Sequence, residues 1–209
     1  TGGLWDKYPV EQVATPEGYQ RDPALVINFY NERRKQLLEV KLNRGHELLA
    51  ELEKNFHVTV VTQNIDNLHE RAGSSRIVHL HGELTKVCSS RDPHNPHYIK
   101  ELKPEEYEVK MGDKADDGTQ LRPFIVWFGE AVPEIETAIQ YVEKADIFVI
   151  IGTSLNVYPA AGLLHYVPRG AEVYLIDPKP VDTHTSRSIH VIQKGASEGV
   201  AELKQLLGV

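Results

Sequence analysis

Of the 209 residues only one is cysteine, Cys88. A single thiol cannot close an internal disulfide and cannot supply a four-cysteine zinc site. No apolar run approaches the roughly 18 residues that a membrane-spanning helix needs. No signal-peptide pattern is present either, so no membrane partner and a cytoplasmic location of bacterial type are expected. Positive charge is also short: 23 Lys and Arg stand against 30 Asp and Glu, a formal net charge of −7. Phosphate backbones call for a basic surface, so no nucleic-acid partner is expected. A lysine-bearing protein suits the charge better. Repeats and low-complexity tracts are absent. What remains is ordinary globular composition, 41% hydrophobic and 25% charged, in a chain long enough for one domain with a real core.

Apolar spacing predicts helix over residues 23–55, interrupted at Asn43-Arg44-Gly45. Asp22 is a natural N-cap ahead of Pro23. Beyond it Leu25, Val26, Phe29, Tyr30, Leu37 and Leu38 keep helical spacing. Strands are predicted at 58–62, 77–80, 124–128, 146–151 and 173–176, with helices near 66–72 and over 133–144 and 197–207. The run from Asp146 to Ile151 is almost wholly apolar, as strands buried on both faces are. Residues 86–120 are polar and rich in turn formers, and read as a small inserted lobe with little core of its own. Strands alternating with helices predict an α/β domain over 1–209, a Rossmann-like, doubly wound and mostly parallel sheet.

Two strand ends carry chemistry. Val58 to Val61 leads into Thr62-Gln63-Asn64-Ile65-Asp66-Asn67, a cluster of amides with one carboxylate, and Ile77-Val78-His79-Leu80 leads into His81-Gly82. Open α/β sheets bind ligands beyond the carboxyl ends of their strands. Amides, an acid and an imidazole that titrates near neutrality suit nucleotide chemistry there. Gly152-Thr153-Ser154 follows the most apolar strand, where a glycine admits a nucleotide to the backbone and hydroxyls can reach ribose or phosphate. Asp177 ends the next strand and can accept from ribose hydroxyls. Each has a plainer reading. His81 could cap a strand, Asp66 a helix, Asp177 a turn before Pro178, and Gly152 could open a generic loop.

Taken in order, Gly2-Gly3-Leu4-Trp5, Thr62-Gln63-Asn64-Ile65-Asp66, His81-Gly82, Phe128-Gly129-Glu130 and Gly152-Thr153-Ser154-Leu155-Asn156-Val157-Tyr158-Pro159-Ala160-Ala161 resemble the sirtuin family of NAD-dependent protein deacylases. The resemblance covers the chain except 86–120. It implies NAD as cofactor and His81 as the catalytic general base, acting through ribose hydroxyls. Gln63, Asn64, Ile65 and Asp66 would surround the nicotinamide and its ribose. Gly152, Thr153, Ser154, Asp177, Pro178, Lys179 and Ala196 would hold the rest of the dinucleotide. Acyl-lysine-bearing protein substrates would add as a strand between two segments. Val126, Phe128, Gly129 and Glu130 form one, and Leu155, Asn156 and Val157 the other. Phe128 and Val157 would wall a tunnel for the lysine stem, and the Val126 carbonyl would accept from the substrate Nε–H.

Tyr30 and Arg33 lie three residues apart on one helical face and resemble the Tyr-x-x-Arg pair of class III sirtuins. That implies removal of succinyl, malonyl and glutaryl groups besides acetyl, with release of nicotinamide and 2′-O-acyl-ADP-ribose. A guanidinium grips a carboxylate bidentately. The plainer reading is an exposed basic face, since Arg34 and Lys35 follow. Three departures from the family stand out. Its structural zinc sits on four cysteines in the region matching 86–120, where only Cys88, His94 and His97 could ligate. No metal is therefore expected, and packing and ionic contacts would hold the lobe. The family's Gly-Ala-Gly opening has no counterpart, and is expected to precede Thr1. Asp177 stands where asparagine is more frequent. A monomer is expected. Two other functions draw on the same residues: protein mono-ADP-ribosylation, which needs no acyl receptor, and a non-catalytic acyl-lysine or ADP-ribose binding module, which needs no His81.

Overall fold

A computed structural model describes residues 7–153, 155, 158–181 and 185–209. In chain order its elements begin with α1 (Val10–Val13), α2 (Pro16–Arg21), α3 (Pro23–Leu37), α4 (Arg44–Glu51), β1 (Val60–Thr62), α5 (Leu68–Ala72) and β2 (Ile77–His79). Next come β3 (Gly82–Ser89), β4 (Lys100–Glu101), β5 (Leu121–Ile125), α6 (Glu134–Val142) and β6 (Ile147–Ile151). The chain closes with α7 (Ala160–Leu164), β7 (Glu172–Ile176), β8 (Ile189–Ile192) and α8 (Ala196–Leu206). Among the described residues no helix is long and apolar enough to cross a membrane.

The fold is α/β, as the alternation predicts. Strands β6, β7 and β8 run parallel in that order, with Ile150 opposite Leu175 and Leu175 opposite Val191. Strands β1 and β2 pair with each other, and β4-β3-β5 form an antiparallel sheet. The strand expected at 124–128 lies three residues earlier. Pro123 within it is tolerated because β5 is an edge strand, where a missing N–H costs no ladder bond.

The chain gathers into two compact units. One combines the residues up to Lys41 with Thr62–Asn67 and His79–Val132. Its long helix α3 starts where the cap rule places it, with the Asp22 carboxylate accepting from the Leu25 N–H at 3.2 Å. Helix α3 then turns Val26, Ile27, Phe29 and Tyr30 inward. Ile27 packs with Val87 and Val109, each such burial worth about 1.5–3 kcal/mol. The Asn31 amide also clamps the Val109 main chain, donating to its carbonyl at 2.7 Å and accepting from its N–H at 2.9 Å. Val87 and Val109 of the 86–120 region are thus buried against α3, which lies outside it.

The second unit comprises Leu42–Val61, Leu68–Val78 and Pro133–Val209. Helix α4 resumes at Arg44 because Asn43 caps it reciprocally. The Asn43 side chain accepts from the His46 N–H, and the His46 ring accepts from the Asn43 N–H, both at 3.0 Å. Leu48 and Leu52 pack with Tyr174, Ile176, Ile192, Val200 and Leu203. A second cluster of Ile150, Leu155, Ala160 and Leu175 forms around the same parallel sheet.

Candidate active site

In the first unit the amide segment and the histidine segment are tied together by main-chain bonds. The Leu80 N–H donates to the Thr62 carbonyl at 2.9 Å, and the Leu84 N–H to the Ile65 carbonyl at 2.8 Å. Thr62 Oγ1 accepts from the Asn64 N–H at 3.0 Å. Nδ1 of His79 lies 2.9 Å from the Asn64 carbonyl, and since that acceptor has no proton, Nδ1 must carry it. These bonds leave Gln63 and Asn64 exposed, with Ile65 and Asp66 half-buried.

His81 follows directly. It is half-buried, and burial holds its imidazole below the ordinary value, favouring the neutral ring. Its carbonyl accepts from the Val126 N–H at 2.9 Å. Gly82 has φ +89°, and a Cβ there would fall 2.1 Å from the Phe124 carbonyl oxygen. Only glycine lets the chain turn from the histidine into β3 so close to another backbone.

Residues 126–130 leave β5 as an irregular segment. The Phe128 N–H donates to the Ala14 carbonyl at 3.0 Å, and the Phe128 side chain is 68% exposed. An apolar ring held out in this way can cover a ligand. The Glu130 carboxylate is committed within the protein. It accepts from Arg122 Nη1 and Nη2 at 2.9 and 3.1 Å and from the Trp127 N–H at 2.8 Å. Burial would raise its pKa, but the Arg122 hydrogen bonds and charge outweigh burial and hold it low. Arg122 and Trp127, both buried, are absent from the sequence-predicted set.

Tyr30 is wholly buried. Its hydroxyl donates to the Val13 carbonyl at 2.9 Å and accepts from Trp127 Nε1 at 3.0 Å. Burial pushes the phenol up to about 12. Arg33, one turn along α3, is half-buried, and desolvation lowers its pKa while the neighbouring Tyr30 opposes that shift.

In the second unit the predicted residues collect at the carboxyl ends of the parallel strands. The Gly152 N–H donates to the Ile176 carbonyl at 3.0 Å as β6 ends. Gly152 has φ +70°, and a Cβ there would meet nothing within 4 Å. Thr153 follows, half-buried. The Asp177 N–H donates to the Ile192 carbonyl at 3.1 Å, and its carboxylate accepts from the Lys179 N–H at 2.8 Å. Pro178, Lys179 and Ala196 are exposed. Leu155 is packed in the core at 5% exposure, so any peptide contact there runs through its main chain. Ser154, Asn156 and Val157 lie outside the described residues. An open glycine backbone, a hydroxyl and a carboxylate at strand ends form a donor set that fits a nucleotide.

The region of the family's zinc is organised by oxygen. The Cys88 thiol is fully buried, burial pushes its pKa up to about 12, and its sulfur faces the Pro123 carbonyl at 3.8 Å. His94 and His97 are exposed. Ser89 Oγ accepts from the Arg91 and Asp92 N–H groups at 3.0 and 2.9 Å and donates to the Asp117 carboxylate. Thr119 Oγ1 bonds the same carboxylate at 2.7 Å. Ser90 Oγ is shared with the Tyr19 hydroxyl at 2.7 Å. The lobe is pinned here by hydrogen bonds more than by the expected ionic contacts.

Three comparisons bear on these arrangements. A family model described as Sir2 family matches residues 1–159. The chain is 94% identical over 206 residues to an NAD-dependent protein deacylase of Bacteroides thetaiotaomicron, covering 99% of this chain and 88% of the relative. It is 47% identical over 201 residues to an NAD-dependent protein deacylase of Helicobacter pylori, covering 96% and 85%. Among solved structures, a Sir2 homologue bound to NAD superimposes with TM-score 0.79 at 32% identity, covering 99% of this chain and 80% of that one. A mutant Sir2 homologue complexed with ADP-ribose gives TM-score 0.80 at 32% identity, with 100% and 85% covered.

Proposed function

Because this chain belongs to the Sir2 family and is an NAD-dependent protein deacylase, we propose that it removes acidic acyl groups from lysine. Succinyl, malonyl and glutaryl are the intended cargo, with acetyl also accepted. The observation that carries this reading is the Tyr30 and Arg33 pair, one turn apart on α3. A half-buried guanidinium attracts a carboxylate more strongly than an exposed one, and its planar fork suits two parallel hydrogen bonds. The Tyr30 side chain is wholly buried and its hydroxyl already donates to Val13, so Arg33 supplies the contact with the acyl carboxylate and Tyr30 backs it from within.

His81 is the general base. Its lowered pKa keeps the imidazole neutral and able to take a proton at neutral pH. Gln63, Asn64 and Asp66 present amide and acid groups that suit a carboxamide and ribose, and Gly152, Thr153 and Asp177 present groups that suit an adenosine ribose. Bound NAD would supply the electrophilic anomeric carbon and a nicotinamide leaving group. Phe128 excludes water from the lysine stem, and the Val126 carbonyl accepts the substrate Nε–H. The expected products are nicotinamide and 2′-O-acyl-ADP-ribose. NAD and acylated proteins meet in the cytoplasm, where we place the enzyme.

Mass spectrometry of peptides carrying succinyl-, acetyl- or unmodified lysine, with and without NAD, tests the reading. Deacylation should require NAD. Arg33→Met should lower succinyl turnover by more than about tenfold, the scale of a charged hydrogen bond, and change acetyl turnover far less. Equal loss on both substrates overturns the acyl preference. ADP-ribose mass added to the peptide, or binding without turnover, overturns deacylation itself.

A further inference from the structure

Arg122 is 4% exposed and makes more contacts than any role so far requires. Its Nε donates to the Pro123 carbonyl at 3.2 Å and its Nη2 to the Ile125 carbonyl at 2.7 Å. The same guanidinium forks onto Glu130 at 2.9 and 3.1 Å, and its Cζ lies 3.8 Å from the centre of the Trp127 ring. Glu130 in turn accepts from the Trp127 N–H. One side chain therefore grips both ends of residues 123–130. Compared with apolar packing, a buried ion pair adds little net stability, and in some proteins such pairs serve to select one conformation.

The conformation selected is that of the peptide-docking segment. With its ends closed by Arg122 and Glu130, the segment hangs on two further main-chain bonds, Val126 N–H to His81 and Phe128 N–H to Ala14. The exposed Phe128 ring and the main chain beside it are what a peptide strand would meet.

We propose that Arg122 is a positioning residue for substrate peptide, acting through Glu130 and Trp127. On this account Glu130 braces the segment from within and does not touch the peptide. The inference rests on the reading that residues 126–130 dock the peptide, and it assigns the holding of that segment to one guanidinium.

The test is fluorescence anisotropy with a labelled acetyl-lysine peptide in the absence of NAD, with calorimetric binding of ADP-ribose as the parallel measurement. Arg122→Gln and the shape-keeping Glu130→Gln should each weaken peptide binding by about fivefold or more, the scale of coupling within a contact network. Affinity for ADP-ribose should stay within about twofold. Arg122→Lys, which restores charge without the fork, should recover part of the loss. A purely structural role would weaken both ligands together, and that result overturns the proposal. If Arg122→Gln does not fold, Glu130→Gln decides by the same criterion. Phe128→Ala separates the two levels. If it weakens the peptide and the Arg122 and Glu130 variants do not, this inference alone fails. If none of the three matters, the docking reading fails and the inference with it.

Discussion

The indole N–H of Trp127 donates to the phenol oxygen of Tyr30 at 3.0 Å, and that phenol donates onward to the Val13 carbonyl. Two residues 97 apart in sequence thereby join the segment after β5 to helix α3 and the end of α1. The arrangement satisfies every polar atom it buries, which is the condition for a buried network to rigidify its surroundings.

Tyr30→Phe keeps the ring and removes the oxygen. It leaves the Trp127 N–H and the Val13 carbonyl without this partner, so it should destabilise the fold by about 1–3 kcal/mol. Thermal or urea unfolding measures this. Combined with Trp127→Phe, the loss should be less than the sum of the two single losses, because both remove one bond. Strict additivity would show that the pair is not coupled.

The rising limb of kcat/KM against pH should be centred below about 6.5, because burial depresses the His81 pKa and the neutral ring is the active form. The same depression means that the folded protein binds fewer protons at this ring than the unfolded chain. Its contribution to stability is therefore complete above about 6.5 and lost as pH falls through the folded value. His81→Asn should remove the limb and lower the rate by about 100- to 10,000-fold. A limb centred higher, or one that survives the substitution, would count against His81 as base.

Chelators should leave the unfolding midpoint and activity unchanged, since Ser89, Asp117 and Thr119 brace the lobe through hydrogen bonds. Ser89→Ala should cost about 0.5–1.5 kcal/mol by removing the acceptor of the Arg91 and Asp92 N–H groups. Asp117 is held below the usual carboxylate range, chiefly by Ser89 and then by Thr119. Its share of stability is accordingly present above that range and fades as pH falls through the folded value. One zinc per chain by metal analysis would refute this account.

Sequence pattern located the elements whose signal is local. Strands β6 and β7 were legible from unbroken apolar runs, and α3 from Asp22-Pro23 and its spacing. Strand β8 was not, because Ile189-His190-Val191-Ile192 alternates a polar residue into a short run whose middle is exposed. Strand β5 was placed late because Arg122 and Pro123 look like turn residues until the edge position and the Glu130 partner are known. Within the candidate site, His81 and the 63–66 segment announce themselves as unusual polar groups at strand ends. Arg122, Trp127 and Ser89 do not, since a lone arginine, a tryptophan and a serine in a polar turn gain meaning only through partners distant in sequence. Glu130 and Leu155 carried a family motif, but their side chains are spent inside the protein.

The sealed sulfur at position 88 leaves the exterior without a native handle for maleimide chemistry. A cysteine engineered on any exposed face of these 209 residues would therefore accept a dye, spin label or crosslinker at one defined place, with no need to delete a background thiol first.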